Sequence, residues 1–321
     1  MTEEPQCGGQ TPGSTSVIPT AARVLIYLIV LLIATSVVQE IVVLAALIFG
    51  ANGPSIAVGH DVGMPFIVIA LSEFLSAIAV LVLTFVFVIY LDRRPPETIG
   101  FNRSGTWGIE IVLGLFLGVG MMGLMFFASY LAGWSKVTGA IFGSSHVKIL
   151  VLTAEALLFW VSTGIVEETM MRGYVQKNLE CKYGAVAALV ITSITFGLMH
   201  SLNPGASIKA FIGTTLAGFI LGYAFLATGR LWLPIAFHFS WNCAEGLIFG
   251  FPVSGMPSPA WIQQKFAGPV IWTGGKFGPE AGLMTPLVLI LGTLIIWWFR
   301  KTLYRSGRIQ YVGAVSDREI L

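Results

Sequence analysis

Residues 150–179 read LVLTAEALLFWVSTGIVEETMMRGYVQKNL, an apolar run whose second half carries two adjacent glutamates and an arginine. A helix needs about 20 mostly apolar residues to cross the hydrocarbon core of a bilayer. This run is long enough, so it predicts a transmembrane helix with ionisable side chains inside the membrane. Such groups cost about 2.5–3.5 kcal/mol each at the centre of a span, and they usually mark a functional site.

Similar apolar runs fill most of the chain. Of its 321 residues, 55% are hydrophobic and 11% are charged, with a mean hydropathy of +0.83, whereas roughly 25% of the residues of a soluble domain are charged. This composition excludes a water-soluble protein and predicts an all-α, polytopic transmembrane helical bundle of about eight spans. We place the spans near residues 22–50, 64–91, 108–133, 150–179, 185–201, 208–228, 232–251 and 284–300.

The runs divide the chain into four parts. Residues 1–21 are polar and rich in Gly, Pro, Ser and Thr, which predicts a disordered tail. Residues 22–149 hold the N-terminal transmembrane helices, and residues 150–251 hold the helices that carry the polar residues of interest. Residues 252–321 comprise an outer loop, the last transmembrane helix and a basic tail.

Lysines and arginines segregate between the two sides of such a bundle. One side holds Arg23, Arg93, Arg94, Arg103, Arg172, Lys177, Lys182, Arg230, Arg300, Lys301, Arg305, Arg308 and Arg318. The other side holds Lys136, Lys148, Lys209, Lys265 and Lys276. The positive-inside rule then predicts that both termini are cytoplasmic. The small net charge of +2 and the lack of a basic stripe speak against nucleic acid as a partner.

Helix geometry determines which polar residues of the quoted stretch share one face of the helix. Glu168 and Arg172 are four residues apart, so they stack on one face in the orientation that favours an ion pair, while Glu167 lies about 100° around the helix. Glu167 is then free to act as a base. Taken alone, the three residues fit a helix end at the cytoplasmic interface equally well.

Two histidines strengthen the functional interpretation. His238 and Asn242 are again four residues apart, so both present polar atoms to one point. At a rise of about 1.5 Å per residue, Glu167 and His238 lie roughly 18 and 9 Å below the cytoplasmic ends of their helices. His200, which ends the fifth span, lies roughly 23 Å deep and needs a tilted or inset helix to come level with them.

Other features of the spans are more typical of packing. Single glutamates occur on otherwise apolar runs at Glu40, Glu73, Glu110, Glu155 and Glu245, and we expect structural pairing or interfacial placement for each. Small residues permit close helix approach. The glycines that we assign to such packing are Gly114, Gly118, Gly120, Gly123, Gly213, Gly218 and Gly222.

The order Glu-Glu-x-x-x-Arg, Phe-x-x-x-His and His-x-x-x-Asn, carried by residues 167–172, 196–200 and 238–242, resembles the CPBP family of intramembrane proteases. That family includes the type II CAAX prenyl endopeptidases and the bacterial bacteriocin-processing and abortive-infection proteins. The resemblance covers roughly residues 150–250, which would form the catalytic core. Supporting similarity occurs at Glu97–Phe101, Gly222–Tyr223, Thr228–Trp232 and Pro234–Ile235.

The resemblance implies an endopeptidase that acts on a peptide or protein substrate at the bilayer, expected in a bacterial inner membrane. Glu167 and His200 would activate a water, and His238 and Asn242 would stabilise the oxyanion. The residues that would hold the site together are Glu168, Arg172 and Phe196.

The residues leave several alternatives open. Glu167, His200 and His238 also suit a catalytic zinc ion with an open fourth position, although the H-E-x-x-H motif is absent and we favour no cofactor. A transporter or proton relay, or a non-catalytic immunity or scaffold protein of the same fold, would use the same buried groups. The substrate, and whether it is prenylated, cannot be derived from the residues.

Overall fold

The predicted apolar runs are helical in the structure, which is a computed structural model that describes residues 18–50, 55–56, 64–103 and 105–305. Most of the predicted disordered tail and most of the basic C-terminal tail lie outside these residues. The principal helices are α1 (Thr20–Ile48), α2 (Phe66–Val86), α3 (Trp107–Leu131), α4 (His146–Glu168), α5 (Lys177–Tyr183), α6 (Ala185–Met199), α7 (Ile208–Thr228), α8 (Trp232–Asn242), α9 (Val270–Thr273) and α10 (Met284–Arg305). The all-α bundle is thus confirmed.

Seven helices of the described chain are long and apolar enough to cross a membrane. The predicted eighth span, 232–251, is shorter than expected. Helix α8 has 11 residues and continues into 6 residues of π-helix at Cys243–Ile248, which together extend at most about 25 Å. It still runs from the turn at the start of α3 to the β3–β4 pair at the end of α3, so it is a short, buried crossing and the number of crossings stays even.

Short strands complete the structure. Strand β1 (Ser55–Ile56) pairs with β2 (Met64–Pro65), and β3 (Ser135–Ala140) pairs with β4 (Ile262–Phe266), both antiparallel. The pairing of β3 with β4 ties the end of α3 to the long connection after α8. These strands were not predicted, because each is too short to produce a clear alternation of apolar and polar residues.

Helix α8 packs most extensively against α3, and two glycines make this contact close. A Cβ atom added at Gly114 would lie 2.7 Å from the backbone nitrogen of Phe237, and one added at Gly118 would collide with Ser240 and Trp241. Ser240 uses the short distance to donate a hydrogen bond to the Gly114 carbonyl at 3.0 Å. The predicted packing role is confirmed here.

The other glycines with a predicted packing role differ in how much space surrounds them. Close contacts also surround Gly213, Gly218 and Gly222. Gly123 has only an ordinary contact with Phe249, at 3.8 Å, and a Cβ at Gly120 would meet nothing within 4 Å. The packing role predicted for Gly120 is therefore wrong, because its face of α3 turns away from α8.

A turn on the side predicted to be cytoplasmic aligns the starts of α3 and α8. The segment Pro96–Ile99 ends at Gly100, whose φ of 106° suits a glycine, and the Gly100 carbonyl accepts a hydrogen bond from Leu231 at 3.0 Å. Trp232 donates from its indole to the Asn102 carbonyl at 2.8 Å. Beside this turn, Glu110 forms a buried ion pair with Arg230, so the structural pairing expected for Glu110 is present.

We predict that Gly118→Ala lowers the thermal unfolding temperature in detergent, because its Cβ forces α3 and α8 apart at a cost of about 1–3 kcal/mol. Gly120→Ala on the same helix is the matched control and should melt like the wild type or slightly higher, since alanine favours helix. Equal melting temperatures for the two variants would contradict the assigned α3–α8 contact.

Candidate active site

The helix that carries the two glutamates changes geometry where they lie. After Glu168 the α-helix widens into a π-helical segment, Thr169–Gln176, before α5 begins. All residues of this segment are buried. A π-helical segment inside an α-helix is rare and is often found at a functional site.

Arg172 is completely buried and all its described partners are close. Its Nη1 donates to Oε1 of Glu168 at 2.7 Å, and its Nη2 donates to the Gly218 carbonyl at 2.9 Å. The guanidinium also lies over the ring of Phe196, 4.8 Å from the ring centre, which adds a cation–π contact. The stacked pair expected from the spacing is therefore present, and it connects the α4 region to α6 and α7.

Glu168 also orients His238, the first of the two histidines of the site. The Nδ1 atom of His238 on α8 lies 2.7 Å from Oε1 of Glu168, which is also completely buried. Since an ionised carboxylate only accepts hydrogen bonds, Nδ1 carries a proton and donates it. The Nε2 atom is thereby directed away from Glu168 and towards Glu167.

The second histidine is oriented by a backbone carbonyl. His200 follows the last turn of α6, and its Nδ1 lies 2.8 Å from the Phe196 carbonyl. The carbonyl can only accept, so Nδ1 carries the proton here too, and in the neutral ring Nε2 has a free lone pair.

Glu167 lies between the two histidines. Its Oε2 is 3.9 Å from Nε2 of His200 and 4.0 Å from Nε2 of His238. Oε2 is buried and has no hydrogen-bond partner in the described structure. The carboxylate and two imidazole nitrogens thus converge, and His200 comes level with Glu167 as the site required.

A small cavity of about 30 Å³ adjoins this cluster, and it is lined by both histidines and by Asn242. A cavity that can enclose about 10–15 Å³ of probe volume has room for one water, provided that polar groups surround it. The cavity therefore has room for about two waters beside the histidines, whose Nε2 atoms lie near Glu167. The predicted pair His238 and Asn242 lines it together, as their spacing on α8 suggested.

Residues that sequence reasoning missed close the opposite wall of the cavity. Ser254 and Glu280, both from the connection between α8 and α10, line it, and the Ser254 hydroxyl donates to Oε2 of Glu280. Ser254 has a positive φ of 45°, a conformation that is uncommon outside glycine and is often found at functional sites. No sequence signal placed Glu280 near the histidines, because it lies in a predicted outer loop.

Glu280 has a second carboxyl group behind it. Glu245 is completely buried, neither of its carboxyl oxygens has a described hydrogen-bond partner, and it is near enough to Glu280 to repel its charge. Burial raises the pKa of Glu280, whereas the Ser254 hydrogen bond and the charges of His200 and His238 act in the opposite direction. The structural pairing expected for Glu245 is therefore not found among the described ion pairs, since its charged neighbour Glu280 is also an acid.

The three other single glutamates show different outcomes. Glu73 on α2 lies beside Thr163 and near enough to Glu167 to repel it electrostatically, so it belongs to the surroundings of the site. Glu155, three turns before Glu167 on α4, is buried, and its Oε2 has no described partner. Glu40 is exposed on α1.

Glu167, His200 and His238 are too far apart to coordinate one zinc ion together. Four ligands at about 2.0–2.1 Å around tetrahedral zinc are about 3.3 Å from one another, whereas the Glu167 oxygen is 3.9 and 4.0 Å from the two imidazole nitrogens. Within the described ranges, no group of three His, Cys, Asp or Glu side chains has an arrangement suited to a metal ion. The geometry therefore does not fit the zinc alternative.

Comparison with known proteins identifies the part of the chain that contains this site. Residues 149–244 match the family model of the type II CAAX prenyl endopeptidase Rce1-like proteins. The resemblance predicted from the three motifs is confirmed over these residues. Searches of curated proteins and of solved structures found no match.

We predict that Arg172→Ala lowers the melting temperature strongly, because removal of one partner of a buried ion pair costs about 3–5 kcal/mol. The double variant Glu168→Gln/Arg172→Met should recover part of this loss, since it leaves no unpaired charge. Lys177→Ala is the control, because the Lys177–Glu180 pair is partly exposed and such pairs contribute about 0–1 kcal/mol. A wild-type melting temperature for Arg172→Ala would refute the structural role.

A second prediction follows from the raised pKa of Glu280. Between its ordinary pKa of 4.5 and its raised value, the folded protein binds more protons than the unfolded chain, so stability falls as the pH rises through this window. Glu280→Gln cannot ionise and should escape this loss. The melting temperature of Glu280→Gln minus that of the wild type should increase from pH 4.5 upward and then level off. Parallel curves for the two proteins, or the same trend in the exposed control Glu97→Gln, would contradict the assignment.

Proposed function

We propose that this chain, whose residues 149–244 belong to the type II CAAX prenyl endopeptidase Rce1-like family, hydrolyses a peptide bond of a membrane-associated substrate with Glu167 as the general base. The chain is an integral membrane protein of the protease type. The catalytic roles, the substrate and the orientation in the membrane are parts of the proposal. The observation that carries it is the unpartnered Glu167 oxygen, which faces Nε2 of both histidines.

The nucleophile is a water held between Glu167 and His200. Both groups are acceptors on the sides that face each other, and their 3.9 Å separation is too long for a direct hydrogen bond. One water supplies two donors, so it bonds to both groups and keeps its lone pairs directed at the substrate carbonyl. Glu167 takes the proton as the water attacks.

His238 and Asn242 stabilise the negative oxygen that forms. The Asn242 amide is a donor at any pH, whereas His238 can donate from Nε2 only when its ring is protonated on both nitrogens. Glu168 favours that state, because its carboxylate lies 2.7 Å from Nδ1. Donors that are already oriented in a dry site stabilise developing charge far more than donors in water.

Hydrolysis ends with a second transfer of the proton that Glu167 took from the water. Glu167 passes it to the peptide nitrogen as the C–N bond breaks, so the products are a new carboxyl group and an amine. Glu167 returns to its ionised state and a new water completes the cycle. The reaction needs no group beyond the side chains described and water.

A proton relay is the second candidate, and one observation favours it. Glu73 lies on one side of Glu167, and Glu280 lines the cavity beside the histidines, so ionisable groups continue in two directions from the centre. A pH-sensitive dye enclosed in proteoliposomes distinguishes the two functions. The relay requires proton flux across the membrane without substrate, whereas hydrolysis requires none.

For orientation, we propose cytoplasmic termini in a bacterial inner membrane, because the lysines and arginines segregate to that side. The substrate is a peptide or protein held at the bilayer. A farnesylated C-terminal peptide and its unprenylated counterpart are the first substrates to test.

We predict that Glu167→Gln and His200→Ala each abolish cleavage of such peptides by purified protein, while insertion and purification stay normal. Glu155→Gln makes the same chemical change on the same helix, outside the cavity, and should retain activity. Near-wild-type cleavage by either site variant would contradict the assigned base and its partner.

In the same assay, Asn242→Ala should lose a factor of about 10²–10³ in kcat with little change in KM, since one oxyanion donor is removed. Cys243→Ala, one residue further along the helix and not in the cavity wall, is its control. Zinc that remains in chelator-washed protein at one ion per chain and tracks with activity would overturn the metal-free mechanism.

A further inference from the structure

A second, larger cavity lies between α6, α7 and α10, with a volume of about 460 Å³. Its lining includes Val190 from α6, Phe219 and Leu226 from α7, and Leu294 and Trp297 from α10. From Phe219 to Leu226 it extends about 10 Å along α7. No residue of its lining also lines the cavity of the candidate active site.

The chemistry of the groove excludes water as its main occupant. The lining is predominantly apolar, and apolar cavities in proteins stay dry and bind apolar molecules. Several lining residues are open to the outside of the bundle, since Val190, Leu294 and Trp297 are 45%, 57% and 39% exposed. A groove that opens sideways from membrane helices faces hydrocarbon chains, so its occupant enters from the bilayer.

The groove has two polar lining residues, and charged groups occur beside it where α10 ends. Thr293 donates its hydroxyl to the Leu289 carbonyl of its own helix, whereas the Tyr223 hydroxyl is hydrogen-bonded to Arg300 on α10. One residue further, the Lys301 ammonium lies 4.7 Å from the ring centre of Trp297. Under the proposed orientation, α10 ends on the cytoplasmic side, so these cations lie at the level of the inner lipid headgroups.

From this arrangement we propose that the groove is a binding site for one anionic phospholipid of the cytoplasmic leaflet. An acyl chain lies along Phe219 and Leu226, and the phosphate meets Arg300 and Lys301. Anionic headgroups attract cationic side chains near the membrane surface, which distinguishes this lipid from a zwitterionic lipid with the same chains. The occupied groove would support α6 and α7, the helices that position Phe196 and Gly218 around Arg172.

The test uses full-length protein in detergent, with phosphatidylglycerol or phosphatidylcholine of identical chains added. Phosphatidylglycerol should raise the melting temperature of the wild type by several degrees more than phosphatidylcholine. Leu226→Trp, which fills the groove, and Arg300→Gln, which removes the cation beside it, should each lose this difference. Native mass spectrometry should show one retained phosphatidylglycerol per wild-type chain and none on Leu226→Trp.

Matched controls distinguish lipid binding in the groove from general effects of the substitutions on stability. Leu216→Trp lies on the same helix outside the groove lining, and Lys148→Gln removes one positive charge at the opposite side of the bundle; both should keep the lipid response. Glu167→Gln should keep it as well, so failure of the proposed catalysis does not affect this result. Equal stabilisation by both lipids, or an unchanged response in Leu226→Trp, would overturn the proposal. A raised KM of Leu226→Trp for the farnesylated peptide, with unchanged lipid response, would instead assign the groove to the substrate.

Discussion

Arg172, the largest fully buried side chain of the described residues, determines how the helices around the candidate site meet. A charge in the membrane interior is tolerated only with close partners, and Arg172 takes them from separate elements. Glu168 neutralises it, Gly218 on α7 supplies a carbonyl, and Phe196 on α6 supplies a ring face. Because Glu168 also binds His238 on α8, one cation connects four helices. The two histidines are positioned by this network, since His200 is bonded to the carbonyl of the same Phe196.

Buried polar groups elsewhere in the bundle follow the same rule. Near the side predicted to be cytoplasmic, the Asp92 carboxylate accepts from Arg23 at 2.6 Å and Arg94 at 2.9 Å. Tyr174 and Asn178 complete its partners at 3.3 and 3.1 Å, which joins α1 and α2 to the helix that follows the π-helical segment. The Asp92 carboxylate, both of whose oxygens are bonded, contrasts with Glu167, whose Oε2 has no described partner. An unpaired carboxylate is costly for stability, but it leaves a lone pair free for chemistry.

The connection between α8 and α10 contributes the wall that helix packing cannot supply. Ser254 adopts its uncommon backbone conformation where it meets Glu280, and both face the cavity of the histidines. Closure by a loop keeps the cavity beside the histidines small, and exclusion of bulk water from a small volume strengthens electrostatic interactions inside it. Glu280 is part of this wall and lies close to Glu245, so the connection adds an ionisable group to the site as well as closing it.

The sequence by itself determined the features that depend on one helix at a time. Hydropathy specified the apolar helices, and the four-residue spacing specified that Glu168 would pair with Arg172, because a helix rotates by about 100° per residue. Contacts between distant segments needed the tertiary structure. Hydropathy also overestimated the length of α8, since it registers burial and not helix length. Glu280 joined the site, and Gly120 proved to face open space, because loop path and helix rotation are decided by packing between elements and are not encoded in local periodicity.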